Sequence, residues 1–105
     1  MRLLIVGQLD GHMASAAKMA MERNAQVDTV DNLDAVVTRL RQGQGADLAL
    51  IDVNFDIGRL VSKLKSERIH LPLVACGGEG TSPQKAKKSI HEGACEYITL
   101  PPEPQ

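Results

Sequence analysis

The chain has 105 residues, 43% of them apolar and 24% charged, with a net charge of -1. That length supports one domain with a core of its own, and so balanced a charge supplies no field that would gather nucleic acid or anionic lipid. One Tyr and one Phe give no aromatic platform for stacked bases, and the apolar runs are far shorter than the ~20 residues of a spanning helix; with no secretory signal at the start, the expected place is the cytoplasm.

Arg2-Leu3-Leu4-Ile5-Val6, ending at Gly7, is the short unbroken apolar run of a strand buried on both faces. Met13, Ala16, Ala17, Ala20 and Met21 then recur at i, i+3, i+4, i+7 and i+8, the stripe of a helix ending near Asn24, with Met19 off the stripe. Val27 to Val30 reads as a half-exposed second strand. Asp31 or Asn32 can cap a helix whose apolar face is Leu33, Val36, Val37 and Leu40, stopped by Gly43 and Gly45. Leu48 to Val53 is a third strand, followed by helical spacing at Ile57, Leu60, Val61 and Leu64. Past Pro72, Leu73-Val74-Ala75-Cys76 is a fourth strand, and Gly77-Gly78-Glu79-Gly80 a loop. Thr81 or Ser82 can cap the Lys-rich helix that begins at Pro83 and stops at Gly93, and Tyr97-Ile98-Thr99-Leu100 is the fifth strand.

Five strands alternating with four helices specify an α/β fold, a doubly wound parallel sheet wrapped on both faces. Residues 1–100 make the domain, and 101–105 form a Pro-rich tail, or the start of a linker, where another helix would be expected. Sites in such sheets form at the carboxyl ends of the strands. The candidates are therefore Gly7 to Gly11, Asp52 to Asp56, Gly77 to Thr81 and Leu100 to Pro102. Gly7-Gln8-Leu9-Asp10-Gly11 lacks the spacing of a phosphate-binding loop, and His12 beside it has no nearby Ser or Cys to activate, so it reads as a solvated helix-start residue. Cys76 and Cys95 have no metal-binding spacing and are expected to be buried, reduced thiols.

Asp52 after the third strand, Leu71-Pro72 before the fourth, and Glu92-Gly93-Ala94 followed by Tyr97-Ile98-Thr99-Leu100-Pro101 together resemble the receiver domain of bacterial response regulators. Within that family, Met1 to Gly7, Gly43 to Leu48, Pro72 to Gly77 and Leu100-Pro101-Pro102 look most like the N-terminal domain of alphaproteobacterial flagellar, sigma-54-dependent transcription activators. The resemblance implies a flavodoxin-like sheet with strand order 2-1-3-4-5. It also implies a protein that continues into an ATPase and a DNA-binding part. A working receiver binds Mg²⁺ with an acidic pair after strand one and the Asp after strand three, which becomes phosphorylated. A hydroxyl after strand four and a Lys after strand five then hold the phosphate. Here Gly7 and Gln8 replace the acidic pair, Gly77 the hydroxyl and Leu100 the Lys.

One carboxylate and a neutral amide hold Mg²⁺ poorly, so neither metal nor cofactor is expected, although Asp10 would partly substitute if its loop folded inward. The lost hydroxyl and Lys contacts together are worth about 2 to 4.5 kcal/mol, against about 5.5 needed to throw a two-state switch. The expected function is thus a non-enzymatic pseudo-receiver that signals by protein contact. The alternatives are a functional phospho-receiver with Asp52 as phosphoacceptor and a flavodoxin-like nucleotide- or flavin-binding protein. Asp52 is expected to be a structural acid capping its turn, and Tyr97, at the family's swinging aromatic position, to keep one rotamer. Val53-Asn54-Phe55-Asp56-Ile57 departs from the family's loop. Candidate contact surfaces are the basic side of the fourth helix, Lys85, Lys87, Lys88 and His91, and the Met/Ala surface with Met19 on the first. Without the family's fifth helix an apolar patch would favour a protein partner or a homodimer.

Overall fold

The computed structural model describes residues 1–7 and 11–101, with the side chain of His12 left out. Gln8, Asp10, the side chain of His12, and Pro102 to Gln105 thus lie outside the described residues. In chain order the elements are β1 (Arg2–Val6), α1 (Gly11–Glu22), β2 (Gln26–Val30), α2 (Leu33–Arg41), β3 (Leu48–Asp52), α3 (Ile57–Ser66), β4 (Leu73–Gly77), α4 (Pro83–His91) and β5 (Glu96–Thr99). All pairings are parallel, in the order β2-β1-β3-β4-β5. The apolar alternation of strand and helix therefore does produce the doubly wound sheet, and the pairing Asp52↔Cys76 and Gly77↔Thr99 brings three strand ends together.

The starts of α2, α3 and α4 are each tied by a side chain from the residue before them. Asn32 Oδ1 accepts from the Ala35 N–H at 2.8 Å, Asp56 Oδ1 from Arg59 at 3.0 Å and Ser82 Oγ from Lys85 at 3.2 Å. Asn32 and Ser82, rather than Asp31 and Thr81, are the caps. Past the end of α1, Asn24 takes the left-handed conformation (φ 62°), one of the few non-glycine residues to do so readily.

The two faces of the sheet are covered unequally. On one, Leu4, Val6, Ala49, Ile51, Leu73 and Ala75 pack against Leu33, Val36 and Val37 of α2 and Ile57, Leu60 and Leu64 of α3. On that same side α4 lies beside α3, where the Glu92 carboxylate sits over Gly58 and Val61 lies against Gly93. On the other face Ile5, Leu50, Val74 and Cys76 pack against Met13, Ala16 and Ala17 of α1, with Leu100 alongside. Next to α1 the sheet opens into an apolar groove of about 270 Å³ floored by Leu3, Leu48, Leu50, Ile98 and Leu100.

Two expectations are corrected here. Met21 is exposed although the helical spacing put it on the buried stripe; it lies at the edge of that stripe in the last turn of α1, beyond the reach of the sheet. Cys76 is buried but Cys95 is exposed. Ala94 fills the inward position, and Cys95, whose N–H donates to the Leu73 carbonyl at 2.8 Å, turns its side chain outward.

Candidate functional site

β1, β3, β4 and β5 end at one rim of the sheet, and the residues there close the space between them. Gly7 has φ 144°, a conformation that strongly favours glycine. A Cβ at Gly7 would stand 3.3 Å from Asp52 Cβ and 3.4 Å from Phe55 Cε2. The Phe55 ring therefore lies against the end of β1, brought back by a tight turn in which the Phe55 N–H donates to the Asp52 carbonyl at 3.0 Å.

Asp52 is half-buried at the end of β3. Its Oδ1 accepts from the Asn54 backbone N–H at 2.9 Å and from Asn54 Nδ2 at 3.1 Å, so the carboxylate caps its own turn. Asn54 Oδ1 in turn accepts from Lys85 Nζ at the start of α4. Beside Asp52, the Cys76 thiol is pushed up to about 12, first by burial and then by the negative charge of Asp52. It is a core residue rather than a nucleophile.

The end of β4 holds the least expected arrangement. A Cβ at Gly77 would lie 2.3 Å from the Tyr97 hydroxyl and 2.5 Å from Thr81 Oγ1. Both hydroxyls thus converge on the space that a side chain at 77 would take, and Tyr97 is turned inward. Leu100, just past β5, donates its N–H to the Gly77 carbonyl at 2.8 Å and is buried with Val74 and Cys76 on the α1 face.

The structure brings Gly7, Asp52, Gly77, Tyr97 and Leu100 to one rim; Gln8 lies outside the described residues. Among the described residues no group of three His, Cys, Asp or Glu is arranged to hold a metal ion. At this rim the described residues offer one carboxylate, Asp52, with the Asn54 amide beside it and the hydroxyls of Thr81 and Tyr97 at Gly77, a single anionic group where a hard cation such as Mg²⁺ takes several oxygens.

The two candidate surfaces stay apart. Lys87, Lys88 and His91 are exposed on α4, whereas Lys85 is engaged by Asn54. Met19, 43% exposed, lies at the rim of the apolar groove on the other face of the sheet. Asn54, Phe55 and Thr81 fall inside the candidate stretches Asp52 to Asp56 and Gly77 to Thr81, but sequence reasoning assigned none of them a part in closing the rim. The signal for that was indirect, since a glycine at 7 and at 77 leaves room that some other side chain must fill.

No family model matches the chain. It is 44% identical over 103 residues to the transcriptional regulatory protein FlbD of Caulobacter vibrioides, a match covering 98% of the chain and 22% of that protein. The chain thus spans about a fifth of the length of that relative. Among solved structures, NtrX from Brucella abortus superposes with a TM-score of 0.74 at 20% identity, over 93% of this chain and 22% of that one. The receiver domain of Francisella response regulator 1452 gives 0.68 at 14% identity, over 93% and 82%. An atypical orphan response regulator, described as having a phosphorylation-independent regulatory mechanism, gives 0.67 at 19% identity, over 94% and 81%. These likenesses establish the receiver fold.

Proposed function

The chain is a receiver domain related in sequence to FlbD, and from that premise we propose that it is a pseudo-receiver: a non-enzymatic regulatory module that signals by protein contact and not by aspartyl phosphorylation. The observation that carries this reading is the filled rim. Tyr97 and Thr81 occupy the room above Gly77, Phe55 lies against Gly7, and Leu100 is apolar where a receiver would hold phosphate with a cation. A phosphoryl group on Asp52 would find neither a cation after β5 nor a hydroxyl at position 77. The fold shared with an orphan regulator described as phosphorylation-independent supports this reading.

In the whole protein the module would regulate a sigma-54-dependent activator of flagellar genes in the cytoplasm, with ATPase and DNA-binding parts downstream; the kinship to FlbD supports this. Its partner surface would be the exposed basic side of α4, Lys87, Lys88 and His91, and the apolar groove near Met19 would be covered by a protein or a second copy. Mg²⁺ would have no part in the signal.

The second reading, a functional phospho-receiver, is favoured by the half-buried placement of Asp52 at the strand end. Amide NMR spectra with and without beryllofluoride and Mg²⁺ separate the two. No Asp52-dependent shift is expected; shifts around the rim that vanish in Asp52→Asn would establish the phospho-receiver instead. A thermal-shift screen with nucleotides and flavins tests the flavodoxin-like alternative, and no stabilisation is expected.

A further inference from the structure

Asp52, Asn54 and Lys85 form a chain of opposite polarities across three elements. Asn54 Nδ2 donates to the carboxylate that ends β3, and Asn54 Oδ1 accepts from the ammonium in the first turn of α4. The amide can point only one way. Reversed, it would set an oxygen against Asp52 and N–H groups against Lys85. The Asn54 backbone N–H, donating to the same carboxylate oxygen at 2.9 Å, holds the loop in place. Lys85 is held from its other side by its own backbone N–H on Ser82 Oγ.

We infer that Asn54 is a positioning residue, a latch through which the charge of Asp52 holds the first turn of α4 in one pose. The latch rests on the pseudo-receiver reading, because it gives Asp52 a standing task in presenting the Lys87, Lys88 and His91 surface. In this domain the negative carboxylate itself fastens the helix, without any group being added to it. Asp at position 54 would repel Asp52, and Ala or Ser would not span to Lys85, so the device depends on an amide of this length. The polar cleft between the loop and α4, lined by Asn54, Asp56, Lys85, Lys88 and Glu92, is the seam along which the helix would loosen.

Hydrogen exchange measured amide by amide on the wild-type chain tests this. In Asn54→Ala and in Lys85→Met, the amides of Lys85 to Lys88 should exchange about 3- to 10-fold faster, while those of α2 keep their rates. Lys87→Met, which removes a charge from the same helix outside the latch, should leave them unchanged. Asp52→Asn should accelerate α4 exchange when Asn54 is present and add nothing in the Asn54→Ala background. Unchanged α4 exchange in Asn54→Ala, an equal effect of Asp52→Asn in both backgrounds, or a parallel rise in α2 would each overturn the latch. None of these readouts involves a phosphodonor, so the latch can fail while the pseudo-receiver reading stands, and the reverse.

Discussion

Gly77 shows how a single missing side chain can reorganise a site. The backbone there needs no glycine for its torsions, but the space does: a Cβ would lie 2.3 Å from the Tyr97 hydroxyl. Overpacking of this kind costs about 1 to 3 kcal/mol, and because the hydroxyl is the far end of a side chain at the sheet edge, the relief is for Tyr97 to swing outward. Gly77→Ala should therefore expose the ring. With one Tyr and no Trp in the chain, intrinsic fluorescence reports this residue alone, so acrylamide quenching of the variant should rise. Quenching equal to wild type would mean that the rim relaxes in another way. The losses at Gly7, Gly77 and Leu100 were legible as letters, since each departs from a position defined by strand order. What fills them was not, because Thr81 and Phe55 reach the rim through loop conformations that no periodicity encodes. Asp52 falls between: a capping role was expected, but its partner Asn54 became visible only once the turn was in place.

Among the elements, strands and helices were readable because buried parallel strands and amphipathic helices leave opposite periodicities. Ends were less so. β5 runs from Glu96 to Thr99, one residue ahead of the apolar run, since pairing with β4 and not hydropathy decides where a strand stops. The contact between α2 and α3 was not readable at all, for it joins residues 26 and 29 positions apart. There Lys63 holds the Asp34 carboxyl below its usual range by a side-chain hydrogen bond and by charge, and Arg41 does the same for Glu67. A carboxylate lowered on folding adds stability above its unfolded pKa, near 3.8 for Asp34 and 4.5 for Glu67, and loses it as pH falls through the folded value. Both pairs are solvent-exposed, so the effect is modest and sensitive to salt. Urea midpoints should drop more between pH 7 and pH 3 in wild type than in the Asp34→Asn, Glu67→Gln double variant, and 0.5 M NaCl should narrow the difference. An identical drop in both proteins would leave the pairs without thermodynamic weight.

For the molecule as a whole, the unequal covering of the sheet matters most. The helices of one face were legible as apolar stripes, and the thin cover of the other, where α1 is the one helix among the described residues, was implied by the resemblance to receiver domains and their fifth helix. The groove beside α1 exposes Ile98 and the rim residues Met1 and Met19, an apolar surface that a second copy could cover. Sedimentation velocity on this chain should show concentration-dependent association, weakened by Met19→Lys. A concentration-independent monomer would remove the homodimer from the proposed role and leave the groove to another protein.

The same imbalance has a consequence for how the chain comes apart. α1 adheres to the sheet through Met13, Ala16 and Ala17, whereas α2 and α3 contribute Leu33, Val36, Val37, Ile57, Leu60 and Leu64. A fully buried Leu or Ile is worth ~1.5 to 3 kcal/mol and an alanine much less. A protease that samples brief openings should therefore enter at α1, cutting first at the exposed Lys18 or Arg23 and only later within α2 or α3. Mass spectra of early tryptic fragments would show the order, and a first cut at Arg39 or Lys63 would contradict it. Set against α2 and α3, the first helix is then the weaker seam, and degradation in the cell would enter there before it reached them.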